Sequence, residues 1–325
     1  MTDVLCLRPQ ADFARVEALP PGSLTVSYHT PDDANVPALM RNAEALVIPA
    51  VGPKLPPALF EGTSLKLVQV TGAGLDRLDK AALIKAGIPV ANVPGGSNSA
   101  LAEYTATTAS MLLRRFAWAD AEIKRGNYAT FRARLVSGNL AGIEGLLVGV
   151  VGLGVIGIAV AQGFAKAGCR VCYYDPTPAD SQAAQAMGAQ AIPFDELLRS
   201  ADIVTLHVPL LPATQGLIGA SELASMKKDA VLIQASRGGI VDEKALADCL
   251  QAGHLGGAAV DVFSTEPPAA DNPLFALEGE AAERLLLTPH IAGVTRQSAA
   301  FLFRSAWQNV ERVVVKGAAP LHRAY

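Results

Sequence analysis

Three side chains of this sequence could act together on one small molecule: Arg237 in QASRGG, Glu266 in STEPP and His290 in LLLTPHIAG. A guanidinium is always charged and can hold a carboxylate or polarise a carbonyl. An imidazole, with an ordinary pKa of about 6.5, can give or take a proton at neutral pH. A carboxylate beside that imidazole favours its charged form and fixes the ring. The three types suit the reduction of a 2-oxo acid, in which a carbonyl gains a hydride and a proton. Taken singly, each has a plainer explanation. Arg237 could be a solvated turn residue, Glu266 a loop acid before Pro267 and Pro268, and His290 the polar end of a strand. Of the five histidines, His29, His254 and His322 fall in expected loops or the tail, and His207 either packs against a ligand or caps a strand.

The elements around these residues give them a common edge. Gly152, Gly154 and Gly157 form GxGxxG between an apolar run, Leu147–Val151, and a helix expected over Ile156–Ala167. The first glycine permits a tight turn, the second lets backbone approach a pyrophosphate, and the third lets helix pack on strand. The helix N-terminus then presents free N–H groups to phosphate. Asp175 closes the next strand, Arg170–Tyr174, near the offset expected of a ribose-binding acid. A carboxylate there repels a 2′-phosphate, and Pro176, Thr177 and Pro178 bring no cation, so NAD is expected rather than NADP.

Strands are expected at Val4–Leu7, Leu24–Tyr28, Ala45–Ile48, Leu65–Val70 and Pro89–Val93. A second series follows at Leu147–Val151, Arg170–Tyr174, Ile203–Val208, Ala230–Ala235, Ala258–Val262 and Leu285–Leu287. Amphipathic stretches such as Leu75–Ala86 and Glu243–Ala252 lie between them, an alternation that predicts α/β architecture with parallel sheets. A long helix is expected from Ser99, as N-cap, to about Arg125, ended by Gly126 and Asn127. A last helix, about Thr295 to Lys316, carries Phe303, Ala306, Val310, Val313 and Val314 near helical spacing and could return to the first domain. Ligands of open parallel sheets bind beyond the carboxyl ends of strands. Arg237, Glu266 and His290 all follow such ends, on the edge that GxGxxG marks.

Composition narrows the alternatives. The chain has 325 residues, 50% of them hydrophobic, and a net charge of −3. That length suits two domains, and the charge gives no basic face for nucleic acid or an anionic membrane. Leu146–Ala161 is glycine-rich and short of the roughly 20 residues of a membrane span. The N-terminus lacks the pattern of a secretory leader, so a cytoplasmic protein is expected. Cys169 and Cys172 have CxxC spacing but no second pair, so reduced core thiols are expected and no metal.

With GLGVIG, HVPLLPATQGLIG, QASRGGIVDEKAL, GGAAVDVFSTEPP and LLLTPHIAG, the chain resembles the D-isomer-specific 2-hydroxyacid dehydrogenases over almost its full length. The resemblance implies two doubly wound parallel-sheet domains. A Rossmann NAD-binding domain, 98–292, would be inserted in a flavodoxin-like substrate domain, 1–97 and 293–325. It implies Arg237 as contact for the substrate carboxylate and carbonyl, His290 as general acid/base and Glu266 as its partner. The expected NAD contacts are Gly152, Gly154, Val155, Ile156, Gly157, Asp175, His207, Val208, Pro209, Thr214, Ala235, Ser236, Asp261 and His290, with Asp261 on the nicotinamide amide. VQVTGAGLDRLD resembles the substrate loop, which makes Thr71, Gly72, Ala73 and Gly74 candidate contacts for a small 2-oxo or 2-hydroxy acid. Glyoxylate and hydroxypyruvate are favoured, since Thr71 stands where phosphoglycerate-specific relatives commonly place arginine. Val155 stands where many relatives carry a basic or polar residue. A homodimer through the helix from Ser99 is implied, with Phe116 and Trp118 as contacts or core. Phosphite oxidation and a dinucleotide-sensing corepressor role are the alternatives; Glu266 argues against formate oxidation, whose enzymes carry glutamine there.

Overall fold

The computed structural model describes residues 4–177 and 181–325, so Pro178 lies outside the described residues. The chain divides into two compact units, Met1–Ser97 with Val294–Tyr325, and Asn98–Gly293.

The first unit is built on a parallel sheet of β1 (Val4–Cys6), β2 (Val26–Tyr28), β3 (Ala45–Ile48), β4 (Leu67–Val70) and β5 (Val90–Ala91), in the order β2-β1-β3-β4-β5. This is the flavodoxin-like order. Alternate residues of a strand face opposite sides, and the burial follows that rule. Leu5, Leu46 and Ile48 join one core with Phe60 and Leu83, while Val4, Cys6, Ala45 and Val47 join another with Phe13 and Trp307. The helix Arg296–Val314 returns to this second face. Thr295 caps it by accepting from the Ser298 N–H at 3.0 Å. Phe303 and Trp307 pack against Phe13 as tilted rings with centroids 4.7 and 5.0 Å away. Each such fully buried side chain contributes about 1.5–3 kcal/mol. A buried polar pair adds register: the Asn309 amide donates to Gln69 of β4 at 2.6 Å.

The second unit carries β6 (Leu147–Val151), β7 (Arg170–Tyr174), β8 (Gln190–Ala191), β9 (Ile203–Leu206), β10 (Val231–Gln234), β11 (Gly257–Val260) and β12 (Leu285–Leu287). They pair in parallel in the order β12-β11-β10-β9-β6-β7-β8. The order runs outward in both directions from the neighbours β6 and β9, the Rossmann arrangement with its switch point between those two strands. Val148, Val150, Ile233 and Ala259 face one core; Val151, Leu232, Ala258 and Val260 face the other. Cys169 and Cys172 fall on these opposite sides, and burial pushes the Cys172 thiol up to about 11.

Some elements differ from expectation. The strand β8 had no expected counterpart; it pairs only Gln190 and Ala191, too short for a periodic pattern. The amphipathic stretch from Leu75 becomes a helix only at Lys80–Ala86, where the Asp79 carboxylate accepts from the Ala82 N–H. Ser99 is not an N-cap, because the helix already begins at Asn98. The helix expected to reach Arg125 is two helices, Asn98–Leu113 and Phe116–Lys124. Between them Arg115 takes a left-handed φ of 54°, and its guanidinium donates to the Gly256 carbonyl. That tertiary bond offsets the roughly 1–2 kcal/mol a left-handed residue costs. Trp118 is core, packed on Phe131 at 5.1 Å under the Arg134 guanidinium, while Phe116 is exposed. Among the described residues no helix is long and apolar enough to cross a membrane.

Candidate active site

The carboxyl edge of the second sheet is assembled turn by turn. After β6, Gly152 adopts a φ of 91°, and a Cβ there would lie 2.7 Å from the His207 carbonyl oxygen. A Cβ on Gly157 would sit 2.0 Å from the Gly152 oxygen. Helix Val155–Lys166 therefore reaches the turn only because both positions are glycine. Gly154, the N-cap, faces open space: an added Cβ would meet nothing within 4 Å. An open cradle below the unpaired amides of a helix N-terminus fits a pyrophosphate. Val155 is exposed in the first helical turn and brings no side-chain donor. Asp175 is tied to the same turn: its carboxylate accepts from the Leu153 N–H at 2.7 Å and from the Thr177 N–H at 2.9 Å. A carboxylate has about four acceptor sites, so acceptor capacity remains for ribose hydroxyls.

Past β9, the His207 Nε2 lies 2.8 Å from the Thr205 hydroxyl. Burial pushes this imidazole down to about 3, so it is neutral at working pH. Val208 and Pro209 follow, and the Thr214 hydroxyl closes the loop by donating to the Pro209 carbonyl at 2.6 Å while accepting from the Leu211 N–H at 2.8 Å. Thr214 thus shapes the loop beside the switch point.

Past β10 come Ala235 and Ser236, both buried, and Arg237, whose Nη1 donates to the Ser236 carbonyl at 2.7 Å. Gln234 staples this turn, donating to the Arg237 carbonyl at 2.8 Å and accepting from the Ser236 hydroxyl at 2.8 Å. A Cβ on Gly238 would fall 1.8 Å from the Phe263 carbonyl oxygen. That glycine lets the arginine turn lie against the loop that carries Glu266.

Past β11 and β12 the acid and the histidine meet. The His290 Nδ1 lies 2.8 Å from the Glu266 Oε2, and the Glu266 Oε1 accepts from the Phe263 N–H at 3.1 Å. An ionised carboxylate only accepts, so Nδ1 carries the hydrogen and Nε2 is the atom left for chemistry. His290 stands at a left-handed φ of 55°. Buried Asp261 supports it: its carbonyl accepts the His290 N–H, and its carboxylate accepts the Ile291 and Ala292 N–H groups, each at 2.8 Å. Arg237 and His290 follow strands two steps apart in the sheet, which separates their backbones by about 10 Å.

In the first unit, Thr71 is buried, and its N–H and hydroxyl both donate to the Ile48 carbonyl, at 2.8 and 3.2 Å. Both Thr71 donors thus hold the loop to β3. Gly72 is buried against Ala50, where a Cβ would come within 2.7 Å. Ala73 is exposed and Gly74 partly so, and the Ala73 carbonyl accepts from the Asn92 amide at 2.8 Å.

Four supporting residues escape the sequence reading. Gln234 is one; a polar residue at the end of an apolar strand was its available signal. Glu243 is another, accepting from the Ser264 N–H and the Asn272 amide, each at 2.6 Å, and so bracing the loop around Glu266. Thr288 and Tyr104 are the others, 2.7 Å apart. Nothing in the sequence links Tyr104 to a strand end so far away along the chain.

The family model described as D-isomer specific 2-hydroxyacid dehydrogenase, NAD binding domain, matches residues 106–292. A D-3-phosphoglycerate dehydrogenase of Archaeoglobus fulgidus is 37% identical over 237 residues, 72% of this chain and 42% of that protein. A Haemophilus influenzae protein provisionally named a 2-hydroxyacid dehydrogenase is 37% identical over 258 residues, 77% of this chain and 78% of that one. The crystal structure of apo D-mandelate dehydrogenase from Rhodotorula graminis aligns with a TM-score of 0.82 at 26% identity, covering 99% of this chain and 97% of that one. The match spans less than half the length of the D-3-phosphoglycerate dehydrogenases.

Proposed function

This chain belongs to the D-isomer-specific 2-hydroxyacid dehydrogenases, and on that premise we propose that it moves a hydride between NAD and a small 2-oxo or 2-hydroxy acid. We assign dinucleotide binding to the unit Asn98–Gly293, which contains the match to the NAD binding domain, and substrate binding to the remainder. The observation that carries the reading is the His290–Glu266 hydrogen bond of 2.8 Å at the carboxyl edge, two strand steps from the end that bears Arg237.

Bound NADH supplies the hydride. The protein's part is to hold the oxo acid and deliver a proton. Glu266 keeps the His290 Nδ1–H hydrogen-bonded and stabilises the imidazolium, whose Nε2–H is the proton given to the carbonyl oxygen. Arg237 binds the substrate carboxylate and stabilises negative charge on that oxygen, a contribution of several kcal/mol in comparable sites, about 2.7–4. In the oxidative direction the neutral Nε2 takes the proton back. Glyoxylate and hydroxypyruvate are the favoured substrates, because Thr71 itself brings no cation to the segment 71–74 for a phosphate. The chain is proposed to act as a homodimer.

The test is NADH oxidation with glyoxylate, hydroxypyruvate and the phosphorylated oxo acid of the D-3-phosphoglycerate reaction. Turnover highest with the unphosphorylated acids is expected. Preference for the phosphorylated acid overturns the substrate assignment, and tight NADH binding without turnover of any 2-oxo acid overturns the activity. His290→Ala should lower kcat by at least about 100-fold, the usual contribution of a general acid.

A further inference from the structure

Beyond the acid/base pair, a hydrogen-bond chain runs away from His290 into the second unit. The Asp261 Oδ1 accepts from the Thr288 hydroxyl at 2.5 Å, and that hydroxyl lies 2.7 Å from the Tyr104 hydroxyl. Tyr104 stands on the helix Asn98–Leu113, with its ring packed in the core that contains Leu286 and Ala292. We propose that Tyr104 and Thr288 are positioning residues for His290: through Asp261 they hold the left-handed turn on which the histidine stands. The proposal rests on His290 being the proton donor of the reaction above.

The direction of the chain follows from the acceptor at its end. An ionised carboxylate only accepts, so Thr288 gives it its one hydroxyl proton. Thr288 can then only accept from Tyr104, which must donate. Burial pushes the Tyr104 phenol up to about 12, so that donor is present throughout the working pH range. Asp261 in turn gathers three successive amides: its carbonyl takes the His290 N–H, its Oδ1 the Ile291 N–H and its Oδ2 the Ala292 N–H. This arrangement explains how a histidine is kept at a φ of 55°, a conformation that L-residues adopt reluctantly. Asp261 is 1% exposed, so no solvent replaces a lost donor and its carboxylate must reorient when Thr288 is removed. Reorientation frees the Ile291 and Ala292 amides and lets the imidazole drift. A reacting group displaced by about 1 Å loses on the order of 100-fold in rate in the extreme, and a partly loosened one less.

Four variants test the relay: Thr288→Val, which keeps shape without the hydroxyl, Thr288→Ser, which keeps the hydroxyl, Tyr104→Phe, and the double variant Tyr104→Phe/Thr288→Val. Two readouts apply to each: amide hydrogen exchange at Ile291 and Ala292, and the split between kcat and KM alongside NADH affinity. Thr288→Val is expected to speed exchange at both amides and lower kcat by about tenfold, the loss of one hydrogen bond of about 1.4 kcal/mol, with NADH bound more weakly as well, since Asp261 is an expected contact of the nicotinamide amide. Tyr104→Phe should do the same by about threefold, Thr288→Ser should restore most of both signals, and the double variant should be no worse than Thr288→Val. The proposal is overturned if Thr288→Val leaves exchange and kcat unchanged, if Thr288→Ser is as damaging as Thr288→Val, or if the two single losses multiply in the double variant. Should Thr288→Val fail to fold, exchange at the two amides in Tyr104→Phe decides alone. A wild-type chain that turns over no 2-oxo acid would refute the activity, while protection of the two amides would still report on the relay.

Discussion

The depressed pKa of His207 makes stability depend on pH. Its folded pKa is pushed from 6.5 down to about 3 by burial. The unfolded chain therefore binds a proton here well before the folded chain does. Stability contributed by the neutral ring is complete above about pH 6.5 and is lost progressively as pH falls toward about 3. At pH 5 the unfolded site is almost fully protonated and the folded site almost fully neutral, so linkage gives a loss of about 2 kcal/mol. At pH 5 the unfolded value sets the size of this loss. Replacing the ring with a side chain that does not titrate, His207→Gln, should remove this dependence. The assay is urea unfolding of wild type and variant at about pH 7.5 and pH 5, followed through a probe in the second unit. Carboxylates also titrate in this range, but they cancel in the double difference. A double difference of about 2 kcal/mol is expected, with the variant losing less on acidification. A value below about 0.5 kcal/mol, or a His207 ring signal that titrates near pH 6 in the folded protein, would refute the reasoning.

Glu266→Gln leaves an amide whose single oxygen can serve either the Phe263 N–H or the His290 Nδ1–H. The lost charge-assisted bond is worth about 1.5–3 kcal/mol, and the pair is roughly a quarter exposed, so the lower half of that range applies after screening. Steady-state kinetics should show kcat down by about 10–50-fold with NADH affinity unchanged. Gly157→Ala drives a methyl into the Gly152 carbonyl; a loss of about 1–3 kcal/mol in thermal or urea unfolding and weakened NADH binding by fluorescence titration are expected. Asp175→Ser removes the acceptor that the Leu153 and Thr177 amides share. NADH should bind about tenfold more weakly in titration, and the preference over NADPH should narrow.

Much of the second unit was legible in the sequence because its signals are local. An apolar run, three glycines at fixed offsets and an acid closing the next strand all lie within one strand–turn–helix–strand stretch. Their roles in the turn are set by backbone sterics that any chain obeys. Strand β8 and the break at Arg115 were not legible. The first pairs two residues, below any periodic pattern. The second depends on the Gly256 carbonyl, far along the chain.

The candidate site divides along the same line. Residue types and strand ends alone put Arg237, Glu266 and His290 on one edge, because a parallel sheet sends every carboxyl end to the same side. Which atoms meet was left to the tertiary structure. It set the Glu266–His290 distance, stapled the arginine turn with Gln234, and aimed both Thr71 donors at the Ile48 carbonyl. It also joined Tyr104, on a helix, to Thr288 and Asp261 at two strand ends. Periodicity reports which face of an element is buried; it carries no information on which buried hydroxyl finds which carboxylate, since that is chosen only when distant elements pack and every buried polar group must find a partner.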